Sequence, residues 1–175
     1  MLQWSRSQSG KLNYSPKHLS LNKIVQETIA LIKPSADDKN IRILTPVSRS
    51  LKVFADADIL ATILRNLLNN AVKFTGKNGT ISVLTNDIGK MVEVSVTDNG
   101  IGINEDDLSK LFQLDRNFTT KGTVGEEGNG LGLILCKEFV KAIGGTIHVK
   151  SKVKSGSTFK FTIPKIPVQI ESRKE

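Results

Sequence analysis

The run Met91-Val92-Glu93-Val94-Ser95-Val96-Thr97-Asp98-Asn99-Gly100-Ile101-Gly102-Ile103 decides how the rest of the chain is read. Val92, Val94 and Val96 alternate with Glu93, Ser95 and Thr97, the period-two pattern of a half-buried strand. The strand ends in Asp98, which sets a carboxylate at the rim of a sheet. There it can accept a hydrogen bond from an exocyclic amine such as N6 of adenine. Gly100 and Gly102 then let backbone approach a flat ring without a Cβ in the way. Asn99-Gly100 equally suits a hairpin turn. The next segment, however, has the pattern of a helix over 104–112, capped by Asn104 with Glu105, Asp106 and Asp107 in its first turn, and not of a returning strand.

Upstream, Asp56 is a good N-cap for a helix reaching about Phe74. Leu60, Ile63, Leu64, Leu67, Leu68, Ala71 and Phe74 fall in one broad apolar wedge. Asn66, Asn70 and Lys73 fall in a separate one. Asn is a mediocre helix former, so several in mid-helix carry a cost. An Asn oxygen is able to ligate Mg²⁺, and an ammonium beside it neutralises phosphate oxygens. The same stripe also suits a solvated helix face.

Further out, Ser20 caps an amphipathic run with Leu21, Val25, Ile29 and Ile32, closed by Pro34. Ile41–Leu44 and Val53–Ala55 are short strand candidates. A strand is predicted over Thr80–Thr85 after the Gly76–Gly79 turn. Leu131–Ile143 is helical and ends at Gly144-Gly145. Ile147/Val149 and Phe159/Phe161/Ile163 mark two alternating strands joined near Lys154-Ser155-Gly156. The sum is an α+β fold: a two-layer α/β sandwich of one mixed sheet, about five strands, with helices packed on one face.

Between the short helix and Leu131 lies a polar, Gly-rich stretch too long for an ordinary connection. Gly122, Gly125, Gly128, Gly130 and Gly132 lead into a helix start, where free N–H groups and the helix dipole suit phosphate. Arg116 and Lys121 are the cations that such a lid would bring to a γ-phosphate. A plain surface loop has the same composition. No GK[ST] comes after the glycines and no βαβ unit contains them, so neither a Walker A loop nor a dinucleotide fingerprint is present.

Composition bounds the rest. The chain has 175 residues, 25 Lys+Arg against 17 Asp+Glu, and a formal charge of +8. One domain with appended segments is expected at this length. Six of the eight excess charges sit between Lys141 and Glu175. With aromatics at 5% and none interleaved with the lysines, they suit a solvated face better than a nucleic-acid platform. No apolar run is of membrane-spanning or signal-peptide type, so no direct membrane contact is expected. A lone Cys136 excludes an internal disulfide and favours a reducing compartment, and on its helix it suits a buried small hydrophobe.

Taken together, these segments resemble the GHKL (Bergerat-fold) superfamily, and specifically the catalytic domain of sensor histidine kinases. Asn66–Thr75 is similar to the N box and Asp98–Ile103 to the first glycine box. Phe112 is similar to the start of the F box, Gly128-Asn129-Gly130-Leu131-Gly132-Leu133 to the second glycine box, and Gly156-Ser157-Thr158-Phe159 to the Gly-[Ser/Thr] box. The resemblance covers about residues 18–164. Two departures stand out: Gln113-Leu114-Asp115 come after Phe112 where the family has Pro and a second Phe, and Asn129 replaces Thr or Ser.

The resemblance implies an ATP site with Mg²⁺ as cofactor. Asn70 is then the metal ligand, and Asn66, Lys73, Arg116 and Lys121 are catalytic candidates. Phe74, Asp98, Gly100, Gly102, Ile103, Phe112, Gly128, Gly130, Leu131, Gly132, Leu133 and Ser157 complete the nucleotide contacts. Ser157 shares the parity of Phe159 and Phe161, so its hydroxyl is expected to point inward and support Asp98. Residues 113–128 become the ATP lid. GHKL hydrolases carry Glu where this chain has Asn66; an amide is no general base. Phosphoryl transfer to an acceptor is therefore favoured over fast hydrolysis, with a nucleotide-switched module or an anti-sigma-type serine kinase as the alternative. His18, in a connector, and His148, facing outward, suit surface histidines, so the acceptor is expected on a separate dimerisation domain, with a response-regulator receiver downstream. Trp4–Gly10 looks like the tail of the second dimerisation helix. The expected division is connector 1–18, catalytic domain 19–165 and tail 166–175, a cytoplasmic and monomeric piece of a homodimeric parent.

Overall fold

The computed structural model describes residues 14–113, 122–126 and 131–167. In chain order the elements are β1 (Lys17–Ser20), α1 (Leu21–Asp37), β2 (Arg42–Leu44), β3 (Lys52–Ala55), α2 (Ala57–Phe74), β4 (Thr80–Ile88), β5 (Met91–Asp98), α3 (Glu105–Leu108), α4 (Gly132–Ala142), β6 (Ile147–Lys152) and β7 (Gly156–Pro164). Five strands form a sheet in the order β2-β4-β5-β7-β6, and β1 pairs with β3 in a separate ribbon. β2 runs parallel to β4, and the other pairings are antiparallel, so the sheet is mixed as expected.

Alternation positions the core. Val92, Val94 and Val96 on β5 are buried, as are Ile81 and Val83 on β4 and Phe159, Phe161 and Ile163 on β7. All project from one face, and α2 lies across it, touching α1, α4 and β5. Leu60, Ile63, Leu64, Leu67, Leu68 and Ala71 are buried, while Phe74 stays half-buried at the helix end. α2 is thus the central helix, apolar toward the sheet and polar along the stripe of Asn66, Asn70 and Lys73.

Several local expectations change. α1 runs through Pro34 to Asp37, and the Asp38 N–H returns to the Pro34 carbonyl at 3.0 Å. Proline forfeits only its own donor there, and burial of Ala36 (1% exposed) holds the final turn. β4 extends to Ile88 because a tight turn, with Gly89 at φ +81°, brings Ile88 opposite Met91. α3 is shorter than expected, with turns after Leu108. His18 belongs to β1 instead of a connector: it sits opposite Phe54, their rings edge-on at 5.2 Å. His148 lies on β6 and is exposed.

Candidate functional site

Each side chain of the site is placed by α2 or by a strand end next to it. Asp56 starts α2: its Oδ1 accepts the N–H groups of Asp58 and Ile59 at 3.0 and 3.1 Å. Such a cap contributes about 1 kcal/mol. Oδ2 takes the Ser15 N–H at 3.0 Å. Along the half-buried stripe, Asn66 meets the first turn of α4, where a Cβ on Gly132 would sit 3.4 Å from Asn66 Oδ1. Burial pushes the Cys136 thiol up to about 12, against a smaller downward pull from its hydrogen bond with the Asn66 side chain. Among the described residues no hydrogen bond or ion pair engages the Asn70 amide, which leaves its oxygen available. Lys73 Nζ lies 4.8 Å from the centre of the Phe74 ring.

At the C-terminal end of α2, the chain after β5 folds against the helix. The Ile101 N–H donates to the Phe74 carbonyl at 3.1 Å. Asp98 is 6% exposed, and its Oδ1 accepts the N–H groups of Gly100 at 2.9 Å and Ser157 at 3.3 Å. Among the described residues no donor reaches Oδ2. Burial raises the Asp98 carboxyl above the ordinary 3.8, partly opposed by those two N–H groups. The glycines at this loop also serve the chain's own packing. A Cβ on Gly100 would strike the Phe74 carbonyl, and one on Gly102, at φ +69°, would strike the Lys152 backbone. It is the chain's own backbone that comes close.

The support from Ser157 also differs from expectation. Its backbone N–H holds Asp98, while its hydroxyl pairs with Ser151 Oγ at 2.9 Å. Ser151 Oγ in turn accepts the Ile103 N–H at 2.8 Å. Ser157 stands opposite both Asp98 and Ser151, and its hydroxyl pairs with Ser151. Phe112, Ile103 and Leu133 pack at the edge of the core, and Lys137 Nζ lies 5.9 Å from the Phe112 ring centre. Leu131 is half-buried just ahead of α4. Arg116, Lys121, Gly128 and Gly130 lie outside the described residues, as do Trp4–Gly10 and Asn129.

Sequence reasoning missed Lys39, Thr123, Glu126, Ser151 and Asn99. Asn99 Oδ1 accepts the Thr80 N–H at 2.8 Å, which closes the start of β4 onto the loop. Lys39 sits in Asp37-Asp38-Lys39-Asn40, a stretch that looks like any solvated turn, yet it is 5% exposed. No local pattern signals it, because its partners come from far along the chain.

An α/β sandwich whose central helix carries a polar stripe and ends against the glycine-bounded loop of a buried carboxylate at the sheet rim is an architecture suited to a nucleotide. Residues 55–167 match the family described as histidine kinase-, DNA gyrase B- and HSP90-like ATPases, and the chain belongs to that family. Several of its relatives are named as sensor kinases. It is 34% identical over 166 residues to the adaptive-response sensory kinase SasA of Gloeothece citriformis, covering 94% of this chain and 42% of that one. It is 37% identical to the sensor histidine kinase ZraS of Escherichia coli, covering 85% and 32%. The catalytic domain of histidine kinase ThkA superposes with a TM-score of 0.75 at 33% identity, covering 87% of this chain and 99% of that domain. The chain spans about two fifths of the SasA sequences it matches. Among the described residues no helix is long and apolar enough to cross a membrane.

Proposed function

We propose that this chain is the ATP-binding catalytic domain of a two-component sensor histidine kinase, passing the γ-phosphoryl group to a histidine on a separate dimerisation domain. The observation that carries the reading is Asp98. One of its oxygens is fixed by two N–H groups and the other is free to accept, beside a helix stripe with an uncommitted amide and an ammonium. Asp98 Oδ2 accepts the adenine amine, and Phe74 and Ile103 border the base. Lys73 contributes positive charge toward the phosphates. Arg116 and Lys121 remain the lid candidates for the γ-phosphate.

The donors suit a nucleotide-borne Mg²⁺. Among the described residues no cluster of three His, Cys, Asp or Glu offers a protein cage. Asn70 would hold the metal through its amide oxygen. A metal held there would supply positive charge at the phosphate oxygens. Asn66, an amide packed against α4 beside Gly132 and Cys136, is no base and does not activate water, so transfer is favoured over hydrolysis. The reading carries with it a receiver aspartate downstream, a cytoplasmic location, a homodimeric parent, and a connector ahead of the catalytic domain with a charged tail after it.

The test is to mix the chain with γ-labelled ATP and a separate histidine-bearing helical hairpin. Acid-labile, base-stable label on the hairpin is expected. Label on serine supports an anti-sigma-type kinase, no transfer despite ATP binding supports a nucleotide-switched module, and rapid multiple turnover supports a hydrolase; each of these overturns the proposal.

A further inference from the structure

We propose that Lys39 is a positioning residue for the nucleotide site, clamping the 122–126 segment onto the C-terminal carbonyls of α2 so that the segment braces Lys73. The proposal rests on the reading of the site as an ATP site, and it assigns a role to a lysine that the site itself does not use.

The geometry is specific. Lys39 Nζ lies 2.8 Å from the Val72 carbonyl and 3.2 Å from those of Lys73 and Thr75. These are end-of-helix oxygens that lack intrahelical donors, at the negative end of the dipole. The same ammonium reaches Thr123 Oγ1 at 2.8 Å and Glu126 Oε1 at 2.6 Å. Five acceptors thus share three protons. Two of the five belong to a segment distant in sequence. That segment is itself closed: the Gly122 N–H donates to the Glu126 carbonyl at 2.9 Å, and the Val124 N–H to Glu126 Oε2 at 2.9 Å.

The clip then seats on Lys73. The Thr123 N–H donates to the Lys73 carbonyl at 3.0 Å, and its hydroxyl to the Thr75 carbonyl at 2.9 Å. A side chain at Gly122 would strike the Lys73 chain and the Glu126 carboxylate, so glycine is what lets the two surfaces meet. A buried ammonium is costly without partners, and removing a carboxylate leaves that charge under-compensated. The Lys39–Glu126 pair therefore favours the docked clip, and the docked clip restricts where the Lys73 side chain can go.

Glu126→Gln is the primary variant, since Glu126 is at the surface; Thr123→Val and Lys39→Arg accompany it, because Lys39→Met alone risks unfolding. Two readouts are used. Amide exchange without nucleotide should quicken about tenfold at Thr123 and Val124 in Glu126→Gln, with the β5 amides unchanged. Affinity for Mg-ATP should fall about fivefold while affinity for adenosine, which has no phosphate, stays as in wild type. Lys39→Arg should keep more Mg-ATP affinity than Lys39→Met. Unaltered exchange at the clip, or equal losses for adenosine and Mg-ATP, overturns the proposal. A wild-type chain that binds no adenine nucleotide overturns the underlying reading instead, and the exchange arm, which needs no nucleotide, tells the two failures apart.

Discussion

Asp98 and Ser157 face each other directly across β5 and β7, and the Ser157 N–H reaches Asp98 Oδ1 at 3.3 Å. One carboxylate oxygen is thereby committed to the protein, and the other is the one proposed to take the adenine amine. Asp98→Asn keeps an acceptor for the two N–H groups but sets an NH₂ where an acceptor is needed. Adenine-nucleotide affinity should fall about thirtyfold or more, near 2 kcal/mol, by calorimetry, with the fold intact by circular dichroism. Affinity within a factor of two of wild type would remove Asp98 from the adenine contact.

In the proposed site the same carboxyl is expected to make binding depend on pH. Its folded pKa is raised above 3.8, chiefly by burial. The stability it contributes is therefore present below the unfolded pKa and is lost as pH rises through the folded one. Binding runs the other way, because only the carboxylate accepts on both oxygens. Nucleotide affinity should decline on acidification with a midpoint above 3.8, and Asp98→Asn should flatten that limb in titrations across the acid range.

A substitution at Asn70 tests the proposed metal contact apart from the nucleotide. Asn70→Ala should weaken Mg-ATP binding about tenfold, or 1.4 kcal/mol, and leave ATP binding in chelator unchanged. Equal effects with and without Mg²⁺ would remove the metal assignment.

Gly102→Ala tests the close approach of the loop to β6. The residue sits at φ +69° and its new methyl would meet the Lys152 backbone. A loss of about 1–3 kcal/mol is expected in denaturant unfolding. An unchanged midpoint would show that the loop yields freely.

Cys136 is 0% exposed and its thiol is pushed up to about 12. At pH 8 only about one thiol in ten thousand is ionised. Reaction with a disulfide reagent should be slow in the native chain and become fast in denaturant; rapid native labelling would contradict the buried placement.

Where the sequence could be read, the signal was periodic. The β5 alternation and the α2 wedge repeat over many residues, so their buried faces were legible before any fold was known. Asp56, Ser20 and Asn104 were legible as caps because capping is local chemistry. The features that stayed hidden depend on distant pairing. β1 is only four residues long and exists because β3 lies opposite it. The Ser157 hydroxyl turns to Ser151 on the neighbouring strand, which strand parity alone does not settle. Lys39 is buried by carbonyls and a carboxylate drawn from separate segments, and composition gives no hint of that convergence.

Ser15 adds a last consequence. Its N–H holds Asp56, the residue from which α2 starts, and a few positions later β1 zips onto β3, the strand that hands over to that same Asp56. The segment at Ser15 is therefore tied directly to the first turn of the helix that carries Asn66, Asn70 and Lys73. Pulling that segment away from the domain therefore breaks the anchor at the helix start before it disturbs the sheet.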